Sequence, residues 1–372
     1  MEKRIYIKKT KKIVLKIGTN VLFSEKNKLN PLEKIAKDIV ILRKKGFEFT
    51  IVSSGAIGCA MKKLKIKNRP KSLRKNQALA SIGQNILMEK WDKVFSKHNL
   101  FTSQILFTYD IVENRQRFMC LKNCFSAIKS YNAIPIINEN DSIAVDELNF
   151  GDNDNLSVFT SLLIDADMLI LFTDTNGIFN KDPHKNKNAK RISIVEKLDD
   201  KIFSKLEDKK NDVSKGGMKS KLHSSKHAVD GGIGVVIADG RTPKLFEILQ
   251  AQDIGTFILP NKIKKREKKN WLLFNEKIKG KIFVDDGAKK AILENRKSLL
   301  PSGIVSIKKD FAKNDLVGVY DKSCKLFARG ISFYSGSDIQ KIQGLHTRDI
   351  KKILKKKSAD EVIDRNNMII LR

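Results

Sequence analysis

Two stretches with one rhythm decide the fold: KKIVLKIGTNVL at residues 11–22 and FEFTIVSSGAIG at residues 47–58. Each opens as an apolar strand and runs into small residues, Gly18-Thr19-Asn20 in the first and Ser53-Ser54-Gly55 in the second. Between them Leu32, Ile35, Ile39 and Leu42 recur at helical spacing. Strand, helix and strand, with Gly and Ser or Thr at each strand end, are the rhythm of a parallel sheet joined by crossover helices. LFTSQILFT (100–108), AIPIIN (133–138), ADMLILFTD (166–174) and GIGVVIADG (232–240) continue it, with room between them for more helices. The expected fold is α/β: an open, mainly parallel sheet sandwiched by helices, over residues 1–262.

Past that point the texture changes. KIKKREKKNW (262–271) is densely charged, and residues 263–279 read as a linker. Short strands and Gly turns around one helix then predict a small β-rich domain over 280–358, with 359–372 as a C-terminal tail. Two domains suit a chain of 372 residues, which exceeds the size at which one core stops growing.

Composition removes several classes of function. The longest apolar runs fall short of the roughly 18 residues of a membrane span, and the basic N-terminus leads into no signal-type apolar region. A cytoplasmic protein is expected. Cys59, Cys120, Cys124 and Cys324 form no C-x-x-C pairs, and His223 and His227 lack the glutamate of a zinc-protease motif. No metal-ligand set is read from the sequence. The formal net charge of +31 would attract polyanions. A lysine-enriched composition spread over exposed helices accounts for that charge without a polyanionic partner, and nucleic acid is the alternative.

The candidate chemistry lies at the strand ends. Lys16 sits inside an apolar strand just before Gly18; an ammonium there is costly to bury unless it meets an anion, and glycine lets backbone N–H groups approach a phosphate. The alternative is an edge-strand lysine facing solvent. Ser54 and Gly55 form a second small-residue turn before a helix, where negative charge is favoured. NENDSIAVDELNFGDNDNL (138–156) concentrates Asn and Asp after a buried strand, at the position where open α/β sheets hold ligands; an ordinary polar turn is the competing reading. FTDTNGIFNKDP (172–183) puts Thr173 and Asp174 at another strand end, and VSKGGMKSKL (213–222) is a Gly-Gly turn leading into a helix with Lys219 and Lys221. The last is not a Walker A loop, because its spacing is wrong. Lysines near glycine turns, with carboxylates to organise them, are what phosphoryl transfer needs. No Ser-His-Asp or Cys-His arrangement competes, so these residues point to an α/β kinase of open substrate.

Taken in order, VLKIGTNVL, IVSSGAIG, PIINENDSIA, GDNDNLS, LFTDTNGIF and GGMKSKL resemble the glutamate 5-kinases of the amino acid kinase family, and VDDGAKKAILENRKSLLPSGI resembles the PUA domain that many bacterial members carry. The resemblance spans nearly the whole chain. It implies ATP and Mg²⁺ as cofactors, L-glutamate as acceptor, and Lys16, Lys221 and Asp154 as catalytic residues. It places glutamate at Ser54, Asp141 and Asn153, with Glu139 and Asp152 beside them. It places ATP at Lys16, Thr173, Asp174 and the run Lys215, Gly216, Gly217, Met218, Lys219, Ser220 and Lys221. It further implies proline as a feedback inhibitor, a homo-oligomer (dimer or tetramer), and glutamyl phosphate reductase as the next enzyme. Lys215 departs from the family, which often has a small or hydroxylated residue there. The rival readings are an RNA-binding or RNA-modifying PUA protein, and another kinase of the family acting on acetylglutamate, aspartate or UMP.

Overall fold

The computed structural model describes residues 4–24, 30–112, 115–144, 153–181, 186, 188–198, 218–261, 278–354 and 359–371. The chain divides into two compact units, Met1–Lys264 and Lys265–Arg372.

In the first unit, strands β1 (Lys12–Ile17), β2 (Glu48–Ser53), β3 (Thr102–Phe107), β4 (Ile134–Glu139), β5 (Met168–Thr173), β6 (Ile194–Val195), β7 (Gly234–Asp239) and β8 (Thr256–Ile258) form one sheet in the order β3-β4-β2-β1-β5-β7-β8-β6. Among the described residues its helices are α1 (Ile5–Lys8), α2 (Thr19–Leu22), α3 (Pro31–Arg43), α4 (Ala56–Lys63), α5 (Leu73–Ser96), α6 (Arg115–Ser130), α7 (Asn153–Leu163), α8 (Met218–Asp230) and α9 (Leu245–Leu249). The local signals act as read. Asn30 caps α3 by accepting from the Leu32 N–H at 3.0 Å, Pro31 occupies the first turn, and Leu32, Ile35, Ile39 and Leu42 are buried.

β1 pairs in parallel with β2 on one side and β5 on the other, from Lys12↔Glu48 to Ile17↔Ser53 and from Ile13↔Met168 to Ile17↔Phe172. A strand flanked on both sides has no solvent-facing edge, which removes the edge-strand reading of Lys16. From β1 the chain first builds leftward through β2 and then returns to place β5 on β1's other side. The order therefore reverses at β1, and the carboxyl ends of β1, β2 and β5 flank a topological switch point, the ordinary ligand crevice of such sheets. β7 and β8 are antiparallel. Buried residues around Ile13, Leu15, Ile17, Trp91, Phe95 and Phe172 form the core.

One contact fixes where α5 lies. A Cβ on Gly83 would stand 1.7 Å from the Ala56 carbonyl oxygen and 2.9 Å from the Ala60 nitrogen, so α4 and α5 cross in backbone contact. Gly83→Ala is expected to cost about 3 kcal/mol by forcing these backbones apart; urea unfolding of the variant measures it.

The second unit is built on a five-stranded sheet of β9 (Gly280–Val284), β10 (Ile304–Lys308), β11 (Leu316–Tyr320), β12 (Leu326–Ile331) and β13 (Met368–Ile370), ordered β10-β9-β11-β12-β13. Only β9 and β11 run parallel. Among the described residues three helices accompany it where one was expected: α10 (Asp286–Leu293), α11 (Gly336–Ile342) and α12 (Ile350–Leu354). The segment expected as a tail is structural, since Val362 and Ile363 are fully buried and β13 pairs with β12. Most of the expected linker lies outside the described residues. Among the described residues no helix is long and apolar enough to cross a membrane.

Candidate active site

β1 delivers Lys16 to the crevice one residue before the strand ends. Lys16 is 8% exposed, and a Cβ on Gly18 would lie 3.7 Å from its Nζ, so the ammonium sits against the small-residue turn. Opposite it, α7 carries Asp154 in its first turn. This helix is buried on all sides: Phe159 packs on Phe107 and Phe118, while Ser157 and Ser161 return their hydroxyls to the backbone oxygens of Asp154 and Ser157. α8 lies beside α7, tied by Ser224 Oγ donating to Asn155 Oδ1 at 2.6 Å. Lys221, one turn earlier on α8, is thereby brought to the neighbouring Asp154.

The result is one carboxylate between two ammoniums. Lys16 Nζ forms an ion pair with Asp154 Oδ1 at 2.8 Å, and Lys221 Nζ donates to Asp154 Oδ2 at 3.0 Å. Asp154 is 1% exposed and Lys221 7%. Burial pushes the Asp154 carboxyl up, but Lys16 and Lys221 outweigh it, and the group is held below the ordinary carboxylate range. Two buried cations converge on this one carboxylate in a dry place, and Lys221 also bears on Asp174. Such a group is complementary to an incoming anion.

On the β2 and β4 side, Ser54 follows β2, and its N–H donates to the Ile17 oxygen at 3.0 Å. Gly55 next to it has φ +110°, a conformation that glycine adopts without strain, and starts α4. Asn153 Nδ2 donates to Ser54 Oγ at 2.8 Å and to Asn138 Oδ1 at 2.9 Å. Asp141 is half-buried in the turn after β4, and Glu139 at the end of β4 is 8% exposed. Burial raises the Asp141 carboxyl above its ordinary range, with Arg69 opposing. Gln77 Nε2 ties α5 to this turn through the Ala144 oxygen at 3.1 Å.

On the β5 side, Thr173 is 8% exposed and donates to Asp174 Oδ1 at 3.1 Å. Asp174 is exposed and also accepts from Asn20 Nδ2 at 2.9 Å. Burial raises its carboxyl, yet the hydrogen bonds from Asn20 and Thr173, with the Lys221 charge, leave it lowered and ionised. At the end of β7, Arg241 grips Asp239 through Nε at 3.0 Å and Nη2 at 2.6 Å. In the first turn of α8, Met218 and Ser220 are half-buried and Lys219 is exposed.

The structure thus brings together Lys16, Lys221 and Asp154, and separately Ser54 and Asn153. Lys215, Gly216, Gly217 and Asp152 lie outside the described residues. Asn20, Asn138, Gln84 and Arg241 are residues that sequence reasoning missed. Only Asn20 and Asn138 stood inside motifs it had singled out.

The pattern common to the amino acid kinase family matches residues 11–239, and that of the PUA domain matches residues 280–354. Glutamate 5-kinase from Thermoanaerobacter sp. (strain X514) is 40% identical over 363 residues, covering 97% of this chain and 98% of its own. The chain belongs to the amino acid kinase family, among the glutamate 5-kinases. Glutamate 5-kinase from Carboxydothermus hydrogenoformans is 38% identical, covering 99% of this chain and 100% of its own. The likeness therefore extends through both units rather than ending with the kinase sheet.

Proposed function

We propose that the chain transfers the γ-phosphoryl group of ATP to the γ-carboxylate of L-glutamate, giving L-glutamyl 5-phosphate and ADP, the first step of proline biosynthesis. The observation that carries this reading is the pair of ammoniums on Asp154, at the switch point between an amide-lined pocket and the Thr173–Asp174 strand end.

In this reading Ser54, Asn153 and Asp141 hold glutamate, and Thr173, Asp174 and the first turn of α8 border the ATP. The acceptor carboxylate is already ionised near neutral pH, so no general base is required. What the reaction lacks is charge neutralisation, because two anions must be brought together. Lys16 and Lys221 supply it at the equatorial oxygens of the transferring group, and Asp154 holds them in place. Asp174, ionised and exposed, fits a hard cation carried on the triphosphate, which needs only one or two protein carboxylates. When bound, Mg²⁺ offsets charge on the β- and γ-phosphate oxygens. On the same reading proline competes at the glutamate pocket, the chain works in the cytoplasm as a dimer or tetramer, and the acyl phosphate passes to glutamyl phosphate reductase.

The test is trapping with hydroxylamine: protein, ATP and Mg²⁺ with glutamate, acetylglutamate, aspartate or UMP. Glutamate-dependent γ-glutamyl hydroxamate is the expected product; product from another acceptor alone, or from none, rejects the assignment.

A pH dependence follows from Asp141. Receiving the substrate ammonium requires the ionised carboxylate, and its raised pKa means that protonation begins at a higher pH than for an ordinary aspartate. KM for glutamate is expected to rise as pH falls towards that range, while Asp141→Asn shows a high KM at every pH. A wild-type KM that stays flat into acid would remove Asp141 from the site.

A further inference from the structure

Behind the glutamate pocket lies a buried chain of three side-chain amides. Asn153 Nδ2 uses both of its hydrogens, on Ser54 Oγ at 2.8 Å and Asn138 Oδ1 at 2.9 Å. Asn138, 3% exposed, passes its own Nδ2 to Gln84 Oε1 at 3.0 Å. Gln84, 7% exposed, ends the chain, and among the described residues its Nε2 has no hydrogen-bond partner. Gln84 is 54 residues from Asn138 in sequence and arrives on α5, placed by the backbone crossing at Gly83.

A chain of amides has a direction, because each amide has a donor end and an acceptor end. In the direction observed, Asn153 Oδ1 is left as an acceptor, and the Ser54 hydroxyl, already accepting, keeps its hydrogen to donate. These two groups match the ammonium and a carboxylate of an amino acid. With every amide turned over, Gln84 would donate to Asn138 and Asn138 to Asn153. Asn153 Oδ1 would then take the Ser54 hydrogen, leaving an N–H donor where an ammonium must sit. The same atoms in the reverse direction would reject the ligand.

We propose that Gln84 is a positioning residue for the acceptor amino acid: by accepting at the buried end of the relay, it sets Asn153 as acceptor and Ser54 as donor in the pocket. The proposal rests on the glutamate kinase reading. Gln84 enters the site through Asn138, whereas Lys221 bonds Asp154 directly, so its influence falls on acceptor binding rather than on phosphoryl transfer.

The test compares Gln84→Met, which fills similar space without an amide, with Gln84→Glu, which keeps the acceptor oxygen. Hydroxamate kinetics at pH 8 are expected to show KM for glutamate raised about tenfold in Gln84→Met, the loss of one buried hydrogen bond. Its kcat and KM for ATP should stay within about twofold of wild type, and Gln84→Glu should keep KM for glutamate within about threefold. An unchanged KM in the Met variant, or equal KM values in the Met and Glu variants, overturns the relay. Should Gln84→Met fail to fold, Asn138→Ala interrupts the relay at its centre and carries the same expectation and the same refutation. Wild-type protein that makes no glutamate-dependent product fails the functional reading and the relay with it; active wild type with an unaltered variant fails the relay alone.

Discussion

Lys221→Met and Lys16→Met are each expected to lower kcat by about a thousandfold, the scale of removing one preorganised group that meets developing transition-state charge, while leaving the fold nearly as stable as before. The second half of the expectation comes from the sign of the charges. Asp154 is bracketed by two ammoniums at 2.8 and 3.0 Å. Removing either lysine leaves a neutral buried pair and relieves the repulsion between two cations. Asp154 keeps one ammonium as its partner, so thermal unfolding is expected to show little loss of Tm. Catalysis needs both cations, because the phosphoryl group and the acceptor carboxylate are both anionic. Hydroxamate kinetics and thermal melts on the same preparations read both quantities. Activity within tenfold of wild type would show that the lysine is structural; a large drop in Tm would show that the pair was holding the fold instead.

The parts of this arrangement differ in how far they could be read from the chain. The six main strands declared themselves through apolar runs ending in small residues, and the sheet's ligand crevice follows from their order. β6 and β8 are two and three residues long, too short for any periodicity to register. α5 has Leu79, Leu87, Trp91 and Phe95 at helical intervals, yet what gives it meaning for the site is Gly83 against α4, a contact between distant segments. Gln84 and Asn138 belong to the pocket for the same reason, through pairing that no local pattern encodes. β13 escaped because its partner strand lies some forty residues away and only closure of the sheet reveals it. Among the carboxylates clustered between residues 138 and 156, composition gave no preference for Asp154. The family resemblance singled it out, and the geometry gives the physical reason: it is the carboxylate that meets both lysines.

Asp154→Asn is expected to do what neither lysine variant does, costing about 3–5 kcal/mol of stability and most of kcat together. The asparagine fills the same space but supplies no charge, so two buried ammoniums lose the carboxylate that they share. The lysines also lose the group that holds them against the transferring phosphoryl group, so kcat falls together with stability. Wild-type stability depends on pH through the same carboxylate. With its pKa lowered in the folded state, Asp154 contributes stability above the unfolded carboxylate value, and that contribution is lost as pH falls through the lowered one. Urea unfolding from neutral to strongly acidic pH should therefore show a stability gap between wild type and Asp154→Asn that closes in acid. A gap independent of pH would mean that the aspartate acts through packing alone, and the charge account of the site would fall with it.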